Sequence, residues 1–271
     1  MDIKRVWASY FSPTGTTERV VTHIAGCLAA NLQTPEQRFD WTLPPARQRA
    51  ACFEEDSLAV FGVPVYAGRV PNVLLPYLQT LEGNRALAVP VVVFGNRNHD
   101  EALKELRDIL KERGFRTIAA GAFVGEHAFS RTLGQGRPDK NDLDVATRFA
   151  KSIVAALRAG QTTSPVRLDN EGPLAGYYQP KNENGERIDI RKVKPKTKDT
   201  CTGCGLCARV CPMASIDPEN VRNVIGVCIK CGACIKKCPV HAKYYDDAGY
   251  LFHKADLERT YARRAEPVVF A

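Results

Sequence analysis

Apolar residues in the first 159 positions form short continuous runs that alternate with stretches of helical period. The runs are rich in β-branched and aromatic residues and cover 4–11, 36–41, 57–65, 86–95 and 117–125. Apolar residues recur at helical spacing in 16–30, in a short segment ending at Leu81, in 102–113 and in 143–158. The alternation predicts a doubly wound parallel α/β sheet, and five strands fit the order 2-1-3-4-5.

The rest of the chain follows other patterns. Residues 160–192 have no clear period and are rich in Gly, Pro, Asn and charge, which is typical of a linker or an extended strap. Residues 193–247 hold a repeated cysteine motif, and residues 248–271 contain one short helical pattern. We therefore predict an α/β domain at 1–159, a linker or strap at 160–192, a small α+β domain at 193–247 and a C-terminal extension at 248–271.

Eight of the ten cysteines lie between Cys201 and Cys238, in two copies of C-x-x-C-G-x-C-x-x-x-C-P at 201–212 and 228–239. Thiolates three residues apart can bind three corners of one cube-shaped iron–sulfur cluster. The glycine in the motif lets backbone amides approach the sulfide ions of such a cluster. The segment resembles the bacterial two-cluster ferredoxins, in which the fourth cysteine of each run binds the other cluster. The resemblance implies two [4Fe–4S] clusters with crossed ligands: Cys201, Cys204, Cys207 and Cys238 for the first, and Cys211, Cys228, Cys231 and Cys234 for the second.

Zinc sites and disulfides are the alternatives for these cysteines. Zinc motifs usually pair two C-x-x-C units across a longer spacer, unlike the triplets present here. Disulfides need an oxidising compartment, whereas the N-terminal apolar run is too short for a membrane helix and shows no export signal. We therefore expect a cytoplasmic protein with metal-bound thiolates and no membrane insertion.

A hydroxyl-rich loop follows the first predicted strand. It reads Ser12-Pro13-Thr14-Gly15-Thr16-Thr17 and precedes a helix, whose N-terminus attracts phosphate. The Gly-Lys pair of a Walker loop is missing. The loop resembles the phosphate loop of flavodoxins, which bind FMN, and this implies that Ser12, Thr14, Gly15, Thr16 and Thr17 hold the FMN phosphate. The alternative is a loop that only caps the helix.

The same resemblance implies flavin contacts from the loops after the next strands. Tyr66 lies where flavodoxins stack an aromatic ring on the flavin, although it could also be a plain packing residue. Glu126 and His127 follow the fifth strand and should face the same crevice. His127 is a candidate proton donor to reduced flavin or to a substrate, the alternative being a structural histidine. The remaining candidate contacts are Pro64, Ala67, Gly68, Gly95, Asn96, Arg97 and His99.

Together, SPTGTTE, PVYAGRVP, GNRNHDEAL and GEHAFS before the cysteine repeat resemble the flavodoxin–ferredoxin fusion proteins of anaerobic bacteria. The resemblance implies an electron carrier that relays low-potential electrons between two clusters, FMN and protein redox partners. One alternative is a flavin-dependent reductase of a quinone, a nitro compound or a similar electrophile. Another is a redox or oxygen sensor, although the sequence shows no DNA-binding module.

The net charge of +8 suggests nucleic-acid binding only until the cofactors are counted. Residues 1–159 contribute +3 and residues 160–271 contribute +5. Two cluster cores with eight thiolates add about −4, and a flavin phosphate about −2, so we expect no nucleic-acid partner. Four cations lie among the cysteines, whereas soluble ferredoxins of this kind are acidic, and this argues against the usual basic partners; they are Arg209, Lys230, Lys236 and Lys237.

Overall fold

The strands and helices predicted for the first domain are present in the structure, a computed structural model that describes residues 2–271. The strands are Arg5–Tyr10 (β1), Glu36–Asp40 (β2), Ser57–Pro64 (β3), Leu87–Phe94 (β4), Arg116–Thr117 (β5), Ala120–Val124 (β6), Lys196–Thr197 (β7), Lys243–Tyr244 (β8) and Val268–Phe270 (β9). The α-helices are Thr16–Leu32 (α1), Leu75–Leu78 (α2), Ala102–Glu112 (α3), Lys140–Ala159 (α4), Leu206–Arg209 (α5), Ala233–Lys236 (α6) and Ala248–Thr260 (α7).

The sheet order is β2-β1-β3-β4-β6, with all five strands parallel, which confirms the predicted order 2-1-3-4-5. The predicted fifth strand is divided into β5 and β6, which both pair with β4. Between the two paired stretches, three residues (118–120) lie opposite only two residues of β4, Val89 and Pro90, so the strand that contains β5 and β6 has one extra residue, as in a β-bulge. Pro90 also has no N–H to donate, and these two features interrupt the ladder.

Two apolar layers cover the sheet. Helices α1 and α4 pack together on one face, over side chains such as Val60 and Phe123. Helices α2 and α3 cover the other face, where Phe61 and Trp41 are fully buried. Because both faces are covered, β3 and β4 are buried along their lengths, as continuous apolar runs require.

The C-terminal extension returns to the first domain, which the sequence did not predict. Helix α7 is followed by β9, which pairs antiparallel with β6 and becomes an edge strand of the sheet. The segment 160–192 runs along α3, where the Arg107 guanidinium bonds the Glu171 carboxylate at 2.6 Å and 2.7 Å. It then reaches the loop after β3, where Tyr178 N–H donates to the Ala67 carbonyl at 2.9 Å.

The cysteine-rich unit is built from two short helices and one two-stranded sheet. Helix α5 lies in the first copy of the motif and α6 in the second, while β7 and β8 pair antiparallel. Its small core contains Ile216, Val221 and Cys234. No helix among residues 2–271 is long and apolar enough to cross a membrane.

Candidate functional site

The hydroxyl-rich loop connects the end of β1 to the start of α1 at the carboxyl edge of the sheet. Ser12 N–H donates to Thr42 Oγ1 at 2.8 Å, and Ser12 Oγ accepts from Glu18 N–H at 2.9 Å, so the loop is held at both ends. Gly15 precedes the helix with φ of +90°, a backbone conformation that favours glycine, and no atom lies within 4 Å of where a Cβ would stand. Glu18 N–H is thus already bound, and within residues 2–271 the Thr16 and Thr17 amides have no acceptor, so they are the helix amides left for an anion.

The loop after β3 is a tight turn that presents Tyr66. Tyr66 and Arg69 exchange backbone hydrogen bonds of 3.0 Å and 3.1 Å, and the residues between them, Ala67 and Gly68, have φ of +51° and +76°. Positive φ at both positions is the geometry of a type I′ turn. A left-handed alanine costs about 1 kcal/mol, and strain of this kind concentrates at functional loops.

Tyr66 points at the cysteine-rich unit. Burial raises the pKa of its hydroxyl well above the ordinary value, and the nearby thiols of Cys231 and Cys228 raise it further. The side chain therefore lies between the carboxyl edge of the sheet and the second copy of the motif. Pro64, which ends β3, is half-buried beneath it.

The loop after β4 is largely occupied by contacts with other segments. The Asn96 amide is buried, donates to the carbonyls of Tyr261 and Arg263 and accepts from Ala265 N–H at 3.1 Å. Arg97 pairs with Asp100 and lies 4.3 Å from the Tyr178 ring centre. These two side chains thus hold the C-terminal extension and the strap.

His99 and Gly95 complete this loop. Burial lowers the pKa of His99, whose ring lies edge-on to Phe94 with centres 5.8 Å apart. A Cβ on Gly95 would stand 2.4 Å from the His127 ring, so only glycine allows the loops after β4 and β6 to pack this closely.

Glu126 and His127 follow β6, as the sequence predicted, but both are engaged in the domain interface. Glu126 pairs with Lys236, and His127 Nδ1 accepts from Phe129 N–H at 3.1 Å. Burial lowers the pKa of His127 to about 3, and the charges of Lys236, His253 and Arg97 lower it further. The imidazole is neutral at physiological pH, a state that suits a packing residue better than a proton donor.

The structure brings Cys211, Cys228, Cys231 and Cys234 around one cavity, which combines the fourth cysteine of the first copy with three of the second. Ser215 N–H donates to Cys211 Sγ at 3.3 Å, and in the other set Ala242 N–H donates to Cys238 Sγ at 3.2 Å. In the described part of the chain, no three or more His, Cys, Asp or Glu side chains lie close enough to hold a single metal ion.

Burial dominates the thiol chemistry of this set. It raises the pKa of Cys231 to about 12 and raises that of Cys234 as well, and the neighbouring thiols in the set add to both shifts. Thiols in such a place lose their protons only to a cation that compensates for the lost hydration, and soft thiolates suit iron–sulfur clusters. The donor set therefore fits a cluster.

Two cations that the sequence did not mark as interface residues hold the cysteine-rich unit against the sheet. Lys236 Nζ donates to the Glu126 carboxylate, to His127 O at 2.7 Å and to Ser130 O at 2.8 Å. Arg47 donates to Pro212 O at 2.5 Å from the other side of the crevice. No sequence pattern separates these residues from other surface cations, because their partners lie about 110 and 165 positions away.

Glycine at position 232 allows a close approach of the two units. A Cβ there would stand 2.5 Å from the Ala128 carbonyl oxygen. Ile229 packs against the core on the α2 and α3 face, and Arg131 donates to Ile235 O at 3.1 Å. The second copy of the motif thus supplies most contacts to the sheet edge.

Comparison with known proteins identifies the cysteine-rich unit. Residues 194–239 match the 4Fe-4S dicluster domain family, which confirms the prediction of two [4Fe–4S] clusters over zinc. No curated protein matches the chain.

Solved structures similar to the first domain include a flavodoxin from the domain Archaea, with 11% identity, a TM-score of 0.38, and coverage of 57% of this chain and 99% of that one. Flavodoxin 1 from Bacillus cereus matches with 15% identity, a TM-score of 0.42, and coverage of 56% and 98%. Megasphaera elsdenii flavodoxin matches with 14% identity, a TM-score of 0.36, and coverage of 55% and 99%. Because these TM-scores lie below 0.5, the fold assignment rests on the strand order itself.

Both halves have a recognisable architecture. The first 125 residues carry the flavodoxin-like strand order, and residues 194–239 carry the cysteine motif of cluster-binding domains. Iron–sulfur clusters held by such motifs serve electron transfer. The chain therefore joins a flavodoxin-like α/β domain to a 4Fe-4S dicluster domain, in the manner of a flavodoxin–ferredoxin fusion, and is an electron-transfer protein.

Proposed function

We propose that this protein binds FMN at the carboxyl edge of its sheet and relays electrons between that flavin, its two clusters and a protein redox partner. The observation that carries the proposal is the placement of Tyr66, which lies between this edge and the thiols of Cys228 and Cys231. A tyrosine in this place is near enough to the inner thiols for their charge to act on its hydroxyl, and it belongs to the loop that would contact the flavin.

The phosphate loop fits the phosphate of FMN. Thr14, Thr16 and Thr17 would bind it with their hydroxyls, together with the first amides of α1 and the Ser12 hydroxyl. Gly15 keeps the approach to this helix end open. Tyr66 would contact the ring system from the loop after β3, and the loop at Gly95 would border it from the next strand.

The cluster ligands follow the crossed assignment. Cys211, Cys228, Cys231 and Cys234 would hold the cluster nearer the sheet, called here the inner set. Cys201, Cys204, Cys207 and Cys238 would hold the other, called here the outer set. When bound, the clusters pass single electrons and the flavin accepts one or two.

The protein's own contribution is a fixed geometry. Lys236 and Arg47 hold the inner set against the sheet edge through hydrogen bonds on two sides, and β9 ties the end of the chain to the same sheet. Fixing donor and acceptor in one unit replaces diffusive docking by a high effective concentration.

The geometry favours a carrier over a reductase of small electrophiles. Asn96, Arg97 and Glu126, which would line a substrate site beside the flavin, are bound to other segments of the chain. His127, the proposed proton donor of such a reductase, has a pKa of about 3, so its ring is neutral at neutral pH and a poor acid.

An anaerobic reductive titration followed by visible absorbance tests the proposal, with iron and flavin quantified on the same sample. We expect about eight irons and one FMN per chain, with electrons equilibrating between clusters and flavin. Ser12→Ala together with Thr17→Val should lower FMN affinity and leave the iron content unchanged. A preparation that binds about four irons, or that binds no FMN when the flavin is supplied, contradicts the proposal.

A further inference from the structure

The two thiol sets differ in their access to solvent. In the inner set Cys231 and Cys234 are buried, at 9% and 8% exposure, beneath the first domain. In the outer set Cys204 is exposed and the other three thiols are half-buried. No hydrogen bond among residues 2–271 links the segment 201–209 to the sheet domain. Three of the four outer thiols therefore lie on a segment that is open to an external protein. The fourth, Cys238, lies between Ile235 and His241, which Arg131 contacts from the first domain.

Three exposed cations surround this outer set. Arg209 Nη1 donates to Cys204 O at 3.0 Å, Cys201 N–H donates to Lys198 O at 3.2 Å, and Lys237 directly precedes Cys238. Within residues 2–271 none of the three pairs with a carboxylate. Asp199, the acidic residue nearest in the chain, is bound by Arg222 at 3.1 Å.

The other cations of the motif are not available to a partner. Lys236 is enclosed in the domain interface, and Lys230 Nζ donates to Arg191 O at 2.9 Å and Cys228 O at 2.7 Å. Among the four cations of the two motif copies, Arg209 and Lys237 are thus the ones left for a partner, and both lie beside outer thiols. An exposed apolar side chain, Val240, lies two residues beyond Cys238 and adds an apolar contact to the charged rim. Small apolar contacts with a charged rim are typical of transient redox interfaces.

We propose that Lys198, Arg209, Lys237 and Val240, called here the port surface, dock an acidic iron–sulfur protein that exchanges electrons with the cluster held by the outer set. The proposal rests on the proposed electron-transfer function and adds to it the surface and the partner class. In one transfer from the partner, the partner is oxidised by one electron and the outer cluster is reduced by one. No covalent bond forms or breaks.

Stopped-flow reduction of the cluster-loaded full chain tests the port surface, with reduced plant-type [2Fe–2S] ferredoxin, an acidic protein, as the probe. Cluster absorbance is the readout, so flavin is not required. We expect the bimolecular rate constant to fall with rising ionic strength. The triple variant Lys198→Glu, Arg209→Glu, Lys237→Glu should lower the low-salt rate constant by at least about tenfold.

A matched control carries the same change of net charge elsewhere. Lys111→Glu, Arg148→Glu and Lys151→Glu place three exposed reversals on α3 and α4, and we expect their combination to keep the rate constant within about threefold of the wild type. Equal rate constants for the two triple variants, or a wild-type rate constant that does not change with salt, would overturn the proposal.

A second measurement does not depend on electron transfer. Oxidised ferredoxin should protect Lys198 and Lys237 from acetylation and leave Lys111 and Lys151 unprotected. Uniform protection, or none, contradicts the port surface. Dithionite, a small reductant that needs no docking surface, distinguishes a failure of the port surface from a failure of the relay. If dithionite reduces the clusters of all variants while the ferredoxin does not discriminate between them, only the port surface fails; if dithionite does not reduce the wild-type clusters, the relay itself fails.

Discussion

The two copies of the cysteine motif share their cysteines, glycine and proline at an offset of 27 positions, yet the second copy makes most of the contacts with the first domain. Some features are shared. Ala214 and His241, at matching positions, have φ of +47° and +50°, and in each copy the following N–H donates to the sulfur of the fourth cysteine. Backbone geometry that wraps a cluster is therefore common to both copies.

The copies differ in the side chains that meet the rest of the protein. Arg209 lies exposed on Cys204 O, whereas its counterpart Lys236 bonds three acceptors across the domain interface. Gly205 and Gly232 have nearly equal φ of +72° and +78°, but only Gly232 abuts the backbone of the first domain. One motif therefore serves two purposes, because its surroundings decide which copy docks and which remains open.

Serine substitution of the second cysteine in each copy should separate the copies most strongly. Cys204→Ser should lose about four of about eight irons and leave the docking of the domains intact, because the second copy makes most of the contacts and Cys204 makes none of them. Cys231→Ser should also lose about four irons, and in addition it should disturb the buried inner set and lower the unfolding temperature of the whole chain. Iron analysis and anaerobic calorimetry measure both effects, and equal unfolding temperatures for the two variants would contradict the asymmetry.

Alanine substitutions at Gly205 and Gly232 measure the contact between the domains. Both glycines have a similar positive φ, so the backbone strain of an alanine is the same in both variants and cancels in the comparison. A Cβ at Gly232 meets the Ala128 carbonyl at 2.5 Å, while at Gly205 it meets only the flexible end of Arg209 at 3.0 Å. Gly232→Ala should therefore lower the free energy of unfolding by about 1–3 kcal/mol more than Gly205→Ala. Urea unfolding of the cluster-loaded chain measures the difference, which should also appear as faster proteolysis of the strap.

Methionine at the paired cations tests the electrostatic part of the docking. Lys236→Met leaves the Glu126 carboxylate without its partner and removes two further hydrogen bonds, so it should lower the free energy of unfolding by about 2 kcal/mol. Arg209→Met loses one exposed hydrogen bond and should change it by less than about 1 kcal/mol. The same urea unfolding experiment measures both, and a cost for Arg209→Met as large as that for Lys236→Met would contradict the assignment of the interface.

The pH dependence of stability gives the smallest expected effect. The pKa of His127 is about 3 in the folded chain and about 6.5 when unfolded, so below pH 6.5 the unfolded state binds a proton that the folded state does not. This contribution to stability is therefore lost as pH falls, by at most about 1.4 kcal/mol per pH unit. Between pH 6.5 and 5.5, the wild type should lose about 1 kcal/mol more than His127→Asn, which keeps an acceptor for Phe129 N–H.

A slope that His127→Asn does not alter would show that the imidazole is not held neutral in the folded chain.

The sheet could be predicted from sequence because its strands are local patterns. Continuous apolar runs such as 86–95 must lie between two covering layers, and their alternation with helices allows few topologies. Strand β9 was missed, since three residues, Val268–Phe270, form no pattern and depend for their pairing on β6, about 150 positions away.

The candidate site divides along the same line. The phosphate loop is visible in sequence because a glycine and hydroxyls between a strand and a helix are a local arrangement. The hydrogen bonds of Asn96 with the segment 261–265 and the ion pair of Glu126 with Lys236 cannot be predicted from the sequence. Each of these contacts joins distant parts of the chain through side chains of common types. Residues assigned to the flavin by position in the sheet were in this way found to hold the domains together.

The amino-acid sequence alone specifies eight thiolates in two equivalent copies, because cluster-wrapping depends on spacing and glycines within about a dozen residues. It leaves the copies indistinguishable in role. The tertiary structure makes one set inner and the other outer, because docking depends on side chains such as Tyr66 and Lys236 meeting across more than a hundred positions of chain. Long-range contacts of that kind form only when the whole chain packs. Here they place one of two similar thiol sets against the sheet and leave the other open to solvent.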